Sequence, residues 1–223
     1  MSFGEKVLQY HFQLTTDIEL PDKIEWLFPY NNEETKKCMK AFYSRFYQDD
    51  HKRTFLLGIN PGRFGAGITG VPFTDPIRLE KLGIKNDFAK KQELSSVFIY
   101  DMIERCGGPE FFFSKYYIAS LCPLGLTKEG VNYNYYDDPK VAKVIEPLII
   151  QNLETQRKFG CVDDVVYCLG QGKNHAYLKK LNEKHGWWKE VMALPHPRWV
   201  MQYKLKRKEE FIRLYQSAFK AQL

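Results

Sequence analysis

The amino-acid sequence predicts an α/β fold of three layers, α/β/α, with helices on both faces of a central four-stranded parallel sheet. Two observations carry this prediction. Four short runs rich in β-branched and aromatic residues are bounded by turn residues, and helical stretches separate them. Those runs are apolar on both sides of the chain, as strands covered by helices on both faces must be. Size agrees: a chain of 223 residues is expected to bury about 70% of its unfolded surface and needs no disulfide or metal staple. No repeat, low-complexity tract or Pro/Gly/Ser-rich linker divides it, so one domain spanning 1–223 is expected.

In chain order, a helix is expected from Glu33 to Tyr47, with Asn32 placed to cap it. A strand follows from Thr54 to Asn60, then a helix from Glu93 to Arg105 and a strand from Tyr116 to Cys122. The pattern continues with a helix from Pro139 to Phe159, a strand from Asp164 to Gly170 and a helix from Asn174 to Lys184. A strand from Glu190 to Leu194 and a helix from Lys204 to Ala221 complete it. Ligands of parallel sheets bind at the carboxyl ends of the strands, so the residues after each strand are the place to look.

Hydrophobic residues at 44% and charged residues at 27% exclude a disordered chain. No apolar run approaches the roughly 18 residues of a membrane span, and the first residues lack a secretory signal pattern. A cytoplasmic protein is expected, nucleoid-associated if bacterial, with no membrane partner. The cysteines number five, an odd count without a C-x-x-C pair, which points to buried thiols rather than disulfides, zinc or an iron–sulfur cluster. No metal or other cofactor is expected. From Arg198 onward there are seven Lys/Arg and two acids, whereas the preceding 197 residues hold 26 and 25. A basic end on a neutral body suggests a polyanion, and a solvated helix face explains it equally well.

After the first strand, glycines 58, 62, 65, 67 and 70 crowd thirteen residues, with Pro61 and Pro72 stiffening the segment. Such a loop lets backbone approach a ligand closely, and it matches neither a P-loop nor G-x-G-x-x-G. The second strand ends in Ser120-Leu-Cys-Pro, and the third runs through Gly170, Gln171 and Gly172 into a helix start able to hold an anion. The fourth ends in Pro195-His196-Pro197, which fixes one histidine between two prolines at a strand terminus.

Together these residues resemble the uracil-DNA glycosylase superfamily, and most closely its single-strand-selective monofunctional (SMUG) family. The first SMUG motif, G-M-N-P-G-x-F-G-x-x-x-T-G-V-P-F, is similar without a gap to Gly58-Ile-Asn-Pro-Gly-Arg-Phe-Gly-Ala-Gly-Ile-Thr-Gly-Val-Pro-Phe73. The likeness continues through Cys106-Gly-Gly-Pro-Glu-Phe-Phe-Phe113, Cys122-Pro123, Gly170-Gln-Gly172 and His196-Pro197. Two departures bear on substrate choice. The family's H-P-S-P-R-N reads here His196-Pro-Arg-Trp-Val-Met-Gln-Tyr203, and its base-reading Asn is Ser120. A divergent, bacterial-type branch is implied.

The resemblance implies a uracil-DNA glycosylase-like fold and a monomeric DNA glycosylase that removes uracil or a related deaminated or oxidised base. Asn60 would orient the attacking water and His196 would donate to the base O2. Phe73 would stack on the base, with backbone at Ile59 and Gly62 and the side chain of Ser120 along its edge. Arg198, Trp199, Met201, Lys204, Lys206, Arg207 and Lys208 would hold the DNA, with Trp199 or Met201 filling the gap and Gly170, Gln171 and Gly172 against phosphates. No lysine is expected beside the strand ends as a Schiff-base nucleophile. The alternatives are a nucleoside or nucleotide N-glycosidase and a non-catalytic DNA-binding module of the same fold.

Overall fold

The computed structural model describes residues 1–21 and 23–220. Its helices are α1 (Phe3–Gln13), α2 (Glu33–Phe46), α3 (Ala66–Thr69), α4 (Pro76–Lys81), α5 (Leu94–Arg105), α6 (Gly108–Lys115), α7 (Pro139–Arg157), α8 (Lys173–His185), α9 (Pro197–Tyr203) and α10 (Lys208–Lys220). The strands are β1 (Ile24–Leu27), β2 (Arg53–Gly58), β3 (Tyr116–Ser120), β4 (Gly125–Lys128), β5 (Val131–Tyr133), β6 (Cys161–Leu169) and β7 (Glu190–Leu194). Among the described residues no helix is long and apolar enough to cross a membrane.

The four expected strands form one parallel sheet in the order β3-β2-β6-β7. Successive side chains of a strand point to opposite faces, and β3 shows both layers. Tyr117 donates to Gln156 Oε1 of α7 at 2.7 Å and meets the Phe3 ring of α1 edge-on at 4.9 Å. Its neighbour Tyr116 faces the other way, 4.7 Å from the Phe219 ring of α10 and 4.9 Å from Phe112 of α6. The three-layer expectation therefore holds. Asn32 caps α2 as expected, its Oδ1 accepting from Thr35 N–H at 3.0 Å. Four of the five cysteines are buried free thiols, and Cys106 is half-buried.

Several elements differ from expectation. The chain from Lys204 is first a 3₁₀ turn, Leu205–Arg207, and only then α10, while the expected end at Ala221 lies outside the described residues. Strand β7 is the sheet edge, so Glu190 to Ala193 are exposed or half-exposed rather than covered on both faces. The sequence reading also lacked α1, the short helices α3, α4, α6 and α9, and a second antiparallel sheet, β1-β4-β5.

Candidate active site

All four parallel strands end at one cavity of about 540 Å³, within the roughly 300–1,000 Å³ of small-molecule sites. Ile59 and Asn60 follow β2, Ser120 ends β3, Gly170 follows β6, and His196 follows β7; every one of them lines the cavity. Gly62, Phe73, Gln171, Gly172, Arg198 and Trp199 line it as well.

The second sheet braces Asn60. Its Nδ2 donates to the carbonyl of Tyr133, the last residue of β5, at 3.1 Å. Its Oδ1 accepts from the Tyr135 N–H at 3.4 Å. Tyr135 is anchored in turn, its hydroxyl donating to Asn174 Oδ1 at 2.7 Å, and Asn174 Nδ2 reaches the Gly58 carbonyl at 3.5 Å. The amide orientation is thus set by backbone groups, and the oxygen keeps a second lone pair for a further donor.

His196 is the N-cap of α9, and its Nδ1 accepts from the Arg198 N–H at 3.1 Å. A neutral imidazole that accepts at Nδ1 carries its proton on Nε2. Burial, and then the Arg198 charge, push the His196 pKa down to about 4. The strand end that carries it is fixed by the buried Tyr215, whose hydroxyl donates to Pro195 O at 2.6 Å, and by Gly170 N–H on Leu194 O at 2.8 Å. Gly170 adopts φ +140°, a backbone conformation that favours glycine there.

Phe73 also has a left-handed backbone, φ +53°, a conformation that costs a bulky residue of order 1–3 kcal/mol. The buried Thr69 and Thr74 hold it. Thr69 Oγ1 donates to Thr74 O at 2.7 Å and Thr74 Oγ1 shares a 2.9 Å hydrogen bond with the Tyr100 hydroxyl. The ring lies against Gly58, where a Cβ would come 2.8 Å from Phe73 Cε2, and it stands 6.1 Å from the His196 ring at a 52° tilt. Ser120 sits opposite Gly58 in the sheet register. Its carbonyl accepts from Asn152 Nδ2 at 3.0 Å, and its hydroxyl bonds to no other described residue.

The basic segment divides. Arg198 and Trp199 line the cavity mouth together with Tyr203, which is 69% exposed and was missed in the sequence. Met201 packs against the core instead and takes no part in the lining. Lys204 lies 5.6 Å over the Trp199 ring and Lys206 is exposed. Arg207 is paired with Glu210 at 2.8 Å, and Lys208 with Asp101 at 2.8 Å. Lys173, the first residue of α8, is an exposed part of the lining. Glu93, Asn132 and Tyr133 also line the cavity without having been singled out. The amide- and aromatic-rich run Asn132-Tyr-Asn-Tyr-Tyr136 was a usable signal; an acid before a helix, as at Glu93, is too common to be one. Among the described residues no group of three or more His, Cys, Asp or Glu could hold a metal ion.

A family model described as the uracil DNA glycosylase superfamily matches residues 45–220. The chain belongs to that superfamily. Within it, the SMUG branch is the near one: the crystal structure of SMUG2 from Pedobacter heparinus is 44% identical, covers 99% of this chain and 98% of its own, and superposes with a TM-score of 0.96. The single-strand selective monofunctional uracil DNA glycosylase of Bos taurus is 29% identical over a 103-residue alignment, and the match spans 38% of that protein's length. The parallel sheet with helices on both faces is thus the fold of a SMUG-type superfamily member.

Proposed function

We propose that this protein is a monofunctional DNA glycosylase that acts as a single-domain monomer in base excision repair. It hydrolyses the N-glycosidic bond of uracil or a related deaminated or oxidised base in DNA and leaves an abasic site. One observation carries the reading: a backbone-oriented Asn60 amide and a neutral His196 with its proton on Nε2 share one cavity, with Phe73 between strand ends to receive a flat ring. The relatives, a single-strand selective monofunctional uracil DNA glycosylase and a SMUG2, agree with it.

A base leaves the helical stack at a cost of a few kcal/mol, least from single strands and mispairs. Stacking on Phe73 returns about 1–3 kcal/mol. Asn60 Oδ1 accepts a hydrogen bond from water and aims its oxygen at C1′. The C1′–N bond breaks with its electron pair on the base, water oxygen bonds to C1′, and the water's second proton passes to solvent. His196 Nε2–H donates to the base O2, where negative charge gathers. Arg198, Lys204, Lys206 and the α8 start at Gly172 meet phosphates, and the exposed Tyr203 fills the gap in the stack more readily than Met201.

The test is release of base from an oligonucleotide with one deoxyuridine, single-stranded or opposite guanine, with alkali revealing abasic sites. Release by the wild type and its loss in Asn60→Ala are expected. No release from uracil, 5-hydroxymethyluracil, hypoxanthine or xanthine substrates, with DNA binding intact, would instead indicate a non-catalytic module. Borohydride during turnover should trap no protein–DNA adduct; an adduct abolished by Lys173→Ala would make the enzyme a lyase.

A further inference from the structure

The described lining of the cavity includes one carboxyl group, that of Glu93. It stands at the N-cap position of α5 yet makes no capping hydrogen bond, and its carboxyl oxygens bond to no other described residue. The backbone holds it there. Glu93 N–H donates to Asp75 Oδ2 at 2.9 Å, and the fully buried Asp75 is itself fixed by the Arg78 N–H at 2.8 Å and its guanidinium at 3.3 Å. The glycine-rich turn passes close to the carboxyl. A Cβ at Gly65 would collide with Glu93 Oε2, and one at Gly62 would lie 3.9 Å from Oε1.

Base release puts a negative charge on the departing ring inside this cavity. A carboxylate fixed in the same low-dielectric space opposes that charge, whereas a carboxylic acid does not and also offers an O–H. We propose that Glu93 controls the charge of the cavity, that its protonated form is the working one, and that its ionisation slows base release. The proposal rests on the glycosylase reading.

Behind Glu93 lie the buried Asp75 and its ion-pair partner Arg78 of α4, and the groups that line the same space are Arg198 and His196 at the start of α9, Lys173 from α8, and Tyr133 and Tyr136 from the β5 side. Burial, and then the Asp75 charge, raise the Glu93 pKa to about 7, with Arg198 opposing. His196 has given up its proton well below that pH, and both tyrosines are held above their ordinary range by burial. Glu93 therefore changes charge near neutrality, where His196 does not.

Single-turnover uracil release from a deoxyuridine oligonucleotide would be measured between about pH 5.5 and 8.5 for the wild type and Glu93→Gln. The wild-type rate should fall with rising pH through about 7, approaching tenfold per unit beyond it. Glu93→Gln, neutral throughout, should be flat and exceed the wild type about tenfold or more at the alkaline end. Wild-type release whose pH limb persists in Glu93→Gln, or a folded Glu93→Gln that is inactive at every pH, overturns the proposal alone. A wild type that releases nothing at any pH overturns the glycosylase reading and the proposal with it. Should Glu93→Gln not fold, ¹³C NMR titration of the wild-type carboxyls decides: a Glu93 midpoint near 7 is expected, and one in the ordinary carboxylate range overturns the proposal.

Discussion

A 3.1 Å hydrogen bond from the Arg198 N–H to His196 Nδ1 fixes the tautomer of the imidazole. The same bond caps α9 and aims the Nε2 proton away from the helix. One contact thus starts a helix and selects a hydrogen-bond donor. It predicts that the ring works uncharged. In ¹⁵N NMR, Nδ1 should keep an acceptor-type shift from pH 8 down to about 5, because protonation waits until about 4. His196→Ala should lower single-turnover release about 10²–10³-fold, the usual cost of removing a donor to developing negative charge. An imidazolium signal at pH 7 would refute the neutral donor.

Acid sensitivity should come from two histidines held without charge. His11 lies buried between Tyr10 and Tyr30, with its ring 5.0 and 4.8 Å from theirs, and burial lowers its pKa to about 4, as in His196. The unfolded chain protonates both near the ordinary 6.5, so between about 6.5 and 4 the unfolded state binds more protons. Stability rises with pH across that window and is lost as the pH falls through it. Each histidine accounts for at most about 3 kcal/mol. Urea unfolding at pH 7 and 4.5 should show a smaller acid loss for His11→Leu than for the wild type. Equal losses would place the sensitivity elsewhere.

The parallel sheet and the strand-end residues were legible because the physics that makes them is local. An apolar run between turns reads as a covered strand wherever it sits, and Asn60, Ser120, Gly170 and His196 are strand ends by position alone. The second sheet was not legible, since β1, β4 and β5 are only three or four residues long, too short for a period to declare itself. That sheet supplies the Tyr133 carbonyl on Asn60, a backbone group no side-chain motif can announce. Met201 and Trp199 looked equivalent as apolar residues in a basic segment. The turn of α9 separates them, sending Met201 to the core and Trp199 and Tyr203 to the cavity mouth.

Gly58 carries a prediction of its own. Its missing Cβ is the space the Phe73 ring occupies, and a Cβ there would sit 2.8 Å from Phe73 Cε2 and 3.0 Å from Cζ. Phe73 has little freedom to yield, because its positive φ and the Thr69–Thr74 bonds set the direction of the ring. Gly58→Ala should therefore destabilise by about 1–3 kcal/mol, as overpacking does. It should also reduce release more than DNA binding, since phosphate contacts are untouched. A Tm and single-turnover rate both equal to the wild type would show that the ring is free to shift.

Ser120 bears on which bases the cavity accepts. Its hydroxyl faces the lining unpartnered among the described residues, and its backbone is pinned by Asn152. A hydroxyl donates and accepts from one atom, whereas an Asn amide presents a donor and an acceptor side by side and so matches the N3–H and O4 pair of uracil. A site that hydrogen-bonds both groups rejects bases lacking either, since its own buried polar atoms would be left unpaired. With Ser120 the cavity should be permissive, releasing oxidised pyrimidines and deaminated purines as well as uracil. Ser120→Asn should raise the ratio of uracil release to release of xanthine, hypoxanthine or 5-hydroxymethyluracil about tenfold, the equivalent of one hydrogen bond. Single-turnover rates on matched oligonucleotides give that ratio directly. If it is unchanged, discrimination lies with backbone at Ile59 and Gly62, and the residue at position 120 is a bystander.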